Sequence, residues 1–516
     1  MVDTDSSEGR RKLSGVSRRR FVKAAGASGV AVGLAGCISS TNGGDGEGTE
    51  GGSGGGTGSG NGNGEQIDTS APSEDITIQW AADSRAADNA DALRQALRDA
   101  GLPDSISVEI LSGSQVTDNR QSQYQTWLNG GREEPALLMM DSGWTIPFIA
   151  REQIQNLSAA LPSEWISEVE DTYFQASVQT AQSPDSGDLY GIPLFPDFPT
   201  VQYRKDLVEQ AGYDPEGENW ATESMQWQAF SEMVADVQQQ NDLQFGFNFQ
   251  ASVYEGLSCC DFNEFMTSWG GAYFGSHDNL FGPVGDRPIT VEEEGVLQSI
   301  RMIRSFIHGE GPDQHGLEGY QNISPDAVLQ WVEDPSMAPF ANGNAVALRN
   351  WPYAIAQNGS EEYFGEDLGV MPIPYGVTQE EAQYEGTGGP VAALGGWHIT
   401  MNPNSSSQQK SAAAQVMRAM MSEDFQLRMF EVMGWIPPRP ELLQSDRASQ
   451  VPVMGRYVEQ LRVAGENAVP RPVTVVWPQQ SDRIASEVNA AYAQNKTPEQ
   501  AMSDLKSSLE QIEQSV

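Results

Sequence analysis

From about Ser70 onward, short apolar runs alternate with longer and more polar stretches. Ile76-Thr77-Ile78-Gln79-Trp80, Ile106 to Leu111 and Ala136 to Met140 have the length and composition of buried strands, and the segments near Ala86 to Ala100 and Asn119 to Leu128 read as helices between them. A βαβαβ rhythm of this kind predicts an α/β fold in which a mostly parallel sheet is flanked by helices. Ligands bind beyond the carboxyl ends of such strands, where Asp83-Ser84-Arg85 and Asp141-Ser142-Gly143-Trp144 fall. Near the C-terminus, Ile484, Val488, Tyr492, Met502, Leu505 and Leu509 recur at helical spacing and predict helices that pack on a core.

The first 64 residues break this pattern. Ser17-Arg18-Arg19-Arg20-Phe21-Val22-Lys23, a Gly/Ala/Val run and Leu34-Ala35-Gly36-Cys37 resemble a twin-arginine export signal that ends in a lipobox. Residues 1–36 are therefore expected to be removed and Cys37 to be lipidated, which would hold the protein at the outer face of the membrane. The apolar stretch from Ala24 to Gly36 is too short to span a bilayer. Of the 23 residues from Asn42 to Gly64, 13 are glycine, so residues 37–69 are expected to be a flexible tether without a core of their own.

Composition narrows the partners. The chain carries 30 Lys and Arg against 71 Asp and Glu, a net charge of −41, and removal of residues 1–36 takes this to about −45. Such a surface repels nucleic acid and anionic lipid, and its acidity suits a protein from a high-salt habitat. Apart from Cys37, the only cysteines are the neighbours Cys259 and Cys260, a pair in which a bridge is strained and rare. The four histidines are scattered, no zinc or redox motif occurs, and no cofactor is expected.

Several motifs, in order, carry a resemblance over nearly the whole mature chain. They are Leu189-Tyr190-Gly191-Ile192-Pro193 followed by Tyr203-Arg204-Lys205-Asp206-Leu207, then Tyr254-Glu255-Gly256-Leu257 and Ala347 to Tyr353. Gly388-Gly389-Pro390, Gly395-Gly396-Trp397 and Gly434-Trp435-Ile436-Pro437 complete the series. Together they resemble the extracellular solute-binding proteins of ABC sugar importers, in particular the trehalose/maltose-binding branch. The resemblance implies a two-lobed periplasmic-binding-protein-like fold that closes on a sugar and presents it to a membrane permease, with the protein acting as a monomer. Crossovers are expected near 192–200, 370–374 and 434–440, which puts 70–195 with 374–436 in lobe one and 200–370 with 438–516 in lobe two.

Aromatic rings in turns can stack on the C–H face of a pyranose, while carboxylates and guanidinium groups satisfy its hydroxyl rim. Trp144, Trp351 and Trp397 are the stacking candidates. Position by position, the resemblance implies that Arg120, Asp141, Asp197 and Arg439 contact the sugar, with Asp83, Arg85, Tyr254, Glu255 and Tyr353 as further contacts. Gly395 would let the backbone approach the ligand. A glycoside hydrolase using Asp141 and Glu255 as its carboxylate pair is the enzyme alternative, but no nucleophile elbow, phosphate loop or metal motif accompanies them. A binder that serves a sensory receptor is a third possibility.

Overall fold

The computed structural model describes residues 66–309 and 315–515. The segment expected to be an export signal, Cys37 and the glycine-rich stretch lie outside the described residues. Among the described residues, no helix is long and apolar enough to cross a membrane.

Two mixed sheets, each backed by helices, organise the folded part. The first contains β1 (Ile76–Asp83), β2 (Ile106–Gly113), β3 (Leu137–Asp141) and β4 (Gly191–Asp197). The second contains β5 (Thr200–Arg204), β6 (Phe245–Asn248), β7 (Ala345–Asn350) and β8 (Leu368–Met371). The chain then returns to the first sheet as β9 (Ala392–Met401) and β10 (Ala468–Pro470). Strand β3 is buried at every position, whereas β2, at the sheet edge, alternates buried and exposed residues. The parallel arrangement expected from the sequence holds for β1, β2 and β3. Strand β9 runs antiparallel to both β3 and β4, because the chain comes back from the other lobe in the opposite direction.

The chain leaves the first sheet at Asp197 and enters the second at Thr200, and it returns between Met371 and Ala392. Two details differ from the sequence reading. Strand β10 lies within 438–516, assigned to lobe two, yet it pairs with β9 of the first sheet. The tether assigned to 37–69 also ends early, because Ile67 donates from its backbone to Ala160 O at 2.9 Å and packs on the first core.

Each sheet has its own core. Trp80, Leu137 and Met417 lie in the first, and Phe247, Phe265 and Phe306 in the second. Helices Trp477–Tyr492 and Pro498–Glu513 bury Ile484, Val488, Leu505 and Leu509 against the second core. Glu513, near the C-terminus, is held by a buried ion pair with Arg287 at 2.7 Å. A third cluster joins Phe198, Leu348, Leu394, Ile436 and Leu461 where the chain passes between the sheets, so the crossings are packed apolar joints.

Candidate functional site

The carboxyl ends of β1, β3 and β4, together with Gly395 to Trp397 of β9, face the turns that follow β6 and β7 across a cavity of about 510 Å³. That volume is in the range of small-ligand sites. Eight carboxylates and three arginines line it, so acceptors far outnumber cationic groups and the interior favours hydroxyl-rich over anionic ligands.

On the first-sheet side, Asp83 ends β1 and caps the following helix by accepting from Ala86 N at 2.8 Å. Its second oxygen lies 3.8 Å from Nη1 of Arg120. Arg120, in the first turn of helix Thr117–Asn129, is only 1 % exposed, and its guanidinium sits 4.1 Å above the ring of Trp397. Its Nε and Nη1 make no hydrogen bond within the protein, although the residue borders the cavity. Buried donors in this state are costly unless a ligand oxygen reaches them.

Trp351, Trp397 and Tyr353 all line the cavity. Trp351 is fixed from behind by Arg349, whose guanidinium lies 4.7 Å from its ring. Arg349 is itself fully buried and paired with Glu264 at 2.8 Å and Asp261 at 3.2 Å. A Cβ at Gly395 would come within 2.9 Å of the Trp351 ring, so this glycine makes room for the indole rather than for the ligand backbone contact expected from the sequence. Asp197 pairs with Gly395 in the β4–β9 ladder and lines the cavity. Burial holds its carboxyl well above the usual carboxylate range, against the pull of Arg349 and Arg85. A protonated Asp197 can both donate to and accept from one hydroxyl. Tyr254 donates to Glu333 Oε1 at 3.0 Å. Arg85 reaches across from the first lobe to pair with Asp334 and stacks 3.7 Å above Tyr353.

One end of the cleft is closed by a network that crosses between the lobes. Arg471, just after β10, donates from Nη1 to Asp141 Oδ1 at 2.9 Å and to Glu255 Oε1 at 3.0 Å. Glu255 also accepts from the indoles of Trp144 at 3.1 Å and Trp477 at 3.3 Å. Gly143 lets the guanidinium pass, because a Cβ there would lie 2.6 Å from Arg471 Nη1. Asp141 and Glu255, the pair weighed as hydrolytic, therefore face a shared guanidinium.

Burial, followed by repulsion from Asp141, raises the Glu255 carboxyl to about 7 from an ordinary 4.5, against the attraction of Arg471. A carboxyl raised on folding favours the folded state when protonated, so its contribution is present below about pH 4.5 and lost as pH rises through about 7. At about 1.4 kcal/mol per unit, stability should fall by ~3 kcal/mol across that window. Denaturant unfolding at pH 5 and pH 8 in constant salt should show this loss, and Glu255→Gln should flatten it; equal slopes in both proteins would refute the assignment.

The structure corrects two expected contacts. Trp144 follows β3, but its ring turns back into the first lobe, where it is fully buried edge-on to Trp397 and Tyr124. It therefore reaches the cleft only through its bond to Glu255. Arg439 lies outside the cavity altogether. It donates to Glu168 Oε1 at 2.6 Å, to Thr172 Oγ1 at 2.9 Å and to Met421 O at 3.1 Å, because the chain after Pro438 turns to the outside of the first lobe. Arg439→Ala should leave ligand affinity unchanged in a titration and lower the unfolding free energy by about 1–2 kcal/mol. The sequence reading missed Arg471, Glu333, Asp334 and Trp435, all of which line the cavity, with Trp435 stacked on Phe195 at 4.5 Å. Cys259 and Cys260, a pair in which a bridge is rare, form a disulfide.

The family model described as bacterial extracellular solute-binding protein matches residues 104–454. The Probable ABC transporter-binding protein of Deinococcus radiodurans is 26 % identical over 411 residues, covering 79 % of this chain and 86 % of its own. A Probable amino-acid ABC transporter periplasmic-binding protein of Sinorhizobium fredii is 25 % identical over 326 residues, covering 62 % of this chain and 64 % of its own. Among solved structures, maltose-bound MalE3 of T. maritima superposes with a TM-score of 0.69 at 25 % identity, covering 84 % of this chain and 98 % of that one. The GacH receptor of Streptomyces glaucescens, solved without ligand and with acarbose, shares the fold at 16 % identity and a TM-score of 0.66, covering 85 % and 98 %.

Proposed function

The chain belongs to the bacterial extracellular solute-binding proteins, and from that premise we propose that it binds a neutral sugar between its lobes and delivers it to an ABC importer. The observation that carries this reading is the pairing of an aromatic wall with partner-free donors. Trp351 and Tyr353 line the cavity with aromatic rings, and Arg120, whose buried Nε and Nη1 have no hydrogen-bond partner, lines it too. A pyranose needs both, a flat apolar support for its C–H face and charged groups for its hydroxyls. The maltose in the T. maritima relative supports a glucose-based mono- or oligosaccharide such as maltose, trehalose or glucose. Arg85 with Asp334, and Arg471 with Glu255, join opposite lobes, so a ligand that favours closure gains from these contacts.

The same reading gives the protein a lipid anchor at Cys37, export by the twin-arginine route, a monomeric state and no catalytic step. Calorimetric titration of residues 66–516 in concentrated salt against glucose, maltose, trehalose and a maltodextrin tests the ligand. Saturable heat from one of them at micromolar strength or tighter supports the proposal. Silence with all sugars together with heat from an amino acid would replace it with the specificity named for the Sinorhizobium relative.

A further inference from the structure

The only two cysteines in the folded part are neighbours, they are bonded to each other, and both line the ligand cavity. They lie in a π-helical turn, Leu257–Asp261, that begins two residues after Glu255 and ends on Asp261. Both ends of this turn make ion pairs. Glu255 joins the network that closes the cleft, and Asp261 pairs with the arginine behind Trp351. The turn is held from the rear by Ser258, whose hydroxyl bonds Ser481 at 2.6 Å and whose carbonyl accepts from Tyr273 at 2.6 Å. The turn is thus anchored on the core side, while Cys259 and Cys260 border the cavity.

A disulfide sulfur is polarisable and weakly hydrogen-bonding, and it makes favourable contacts with C–H groups where a carboxylate would not. In a cavity otherwise rich in carboxylates, the bridge is an apolar patch on the second-lobe wall. Covalent closure between adjacent residues also removes conformations from the turn that sets the direction of Glu255.

We propose that the Cys259–Cys260 disulfide is a ligand-contacting element whose oxidation state sets the affinity of the cleft, an inference that rests on the sugar reading above. Oxidised, it supports a C–H face of the sugar and holds Glu255 in place. Reduced, it presents two thiols on a loosened turn, and the sugar binds less tightly. The reaction is a two-electron reduction. With a trialkylphosphine and water it gives two thiols and the phosphine oxide, the sulfur–sulfur bond breaking as the phosphorus–oxygen bond forms.

The test uses the chain purified without reductant, its bridge confirmed by mass before and after alkylation. Affinity for the best sugar from the titration panel is measured before and after phosphine treatment, and again in the variant carrying Cys259→Ser and Cys260→Ser, with circular dichroism on every sample. The expected result is a loss of affinity of about tenfold on reduction and in the double variant with the fold unchanged. Saturating sugar should also slow the reduction. Equal affinity in the two oxidation states, or thiols already free in the untreated chain, would overturn the role of the disulfide while leaving the sugar reading in place. Unfolding on reduction would assign the bridge to stability instead and overturn the proposal. Failure of the oxidised chain to bind any sugar would overturn both readings.

Discussion

Arg120→Ala should weaken sugar binding by about a hundredfold, close to 3 kcal/mol, and leave the melting of the ligand-free protein almost unchanged. The asymmetry follows from its surroundings. Within the protein, Nε and Nη1 of Arg120 have no hydrogen-bond acceptor, and the nearest carboxylate oxygen is 3.8 Å away. The unliganded fold therefore loses little beyond the contact with Trp397. A bound hydroxyl would take up those donors in a dry site, where a charge-assisted bond is strongest. Arg120→Lys should recover only part of the loss, because an ammonium cannot reproduce the planar fork or its stacking on the indole. Titration calorimetry of the three proteins alongside thermal melts checks both statements. A melt lowered as much as the affinity would make Arg120 a structural residue.

The second large effect is expected at Arg471. Its replacement by alanine leaves Asp141 and Glu255 buried beside each other with their common partner gone, a situation that costs about 3–5 kcal/mol. Arg471 follows a strand of the first sheet, and Glu255 belongs to the second lobe, so part of that cost falls on closure. Denaturant unfolding should accordingly show a larger loss in saturating sugar than without it. At pH 5 the loss should shrink, because Glu255 is then protonated and no longer repels Asp141. A loss that is identical with and without sugar would place the network within one rigid lobe and remove it from the closing motion.

Residues placed by a strand end were legible from the chain. Asp83 and Asp141 each follow an apolar run, and a polar side chain there must emerge at the crevice beyond the sheet. Trp351 was legible for the same reason, since it directly follows β7. Trp144 shows the limit of that logic. It occupies an equivalent place after β3, yet its direction depends on the rotation of the helix Thr145–Ala150, which apolar spacing does not report. Arg439 failed for a related cause, as the direction of the chain after Pro437 and Pro438 is decided by packing against Glu168 and Tyr173, far away in sequence. Arg471 gave no local signal at all. It lies between two prolines just after a three-residue strand, and its meaning comes from partners 330 and 216 positions earlier. Adjacent cysteines are likewise silent until the π-helical turn brings their side chains together.

The bond from Trp144 to Glu255 has an optical consequence. Trp144 belongs to the first lobe, and Glu255 and Trp477 to the second, so separation of the lobes would admit solvent to an indole that is otherwise dry. Indole emission moves to longer wavelength when its surroundings become wet. The protein therefore carries a native fluorophore at the seam, through which the kinetics of opening can be followed by stopped-flow without any attached dye.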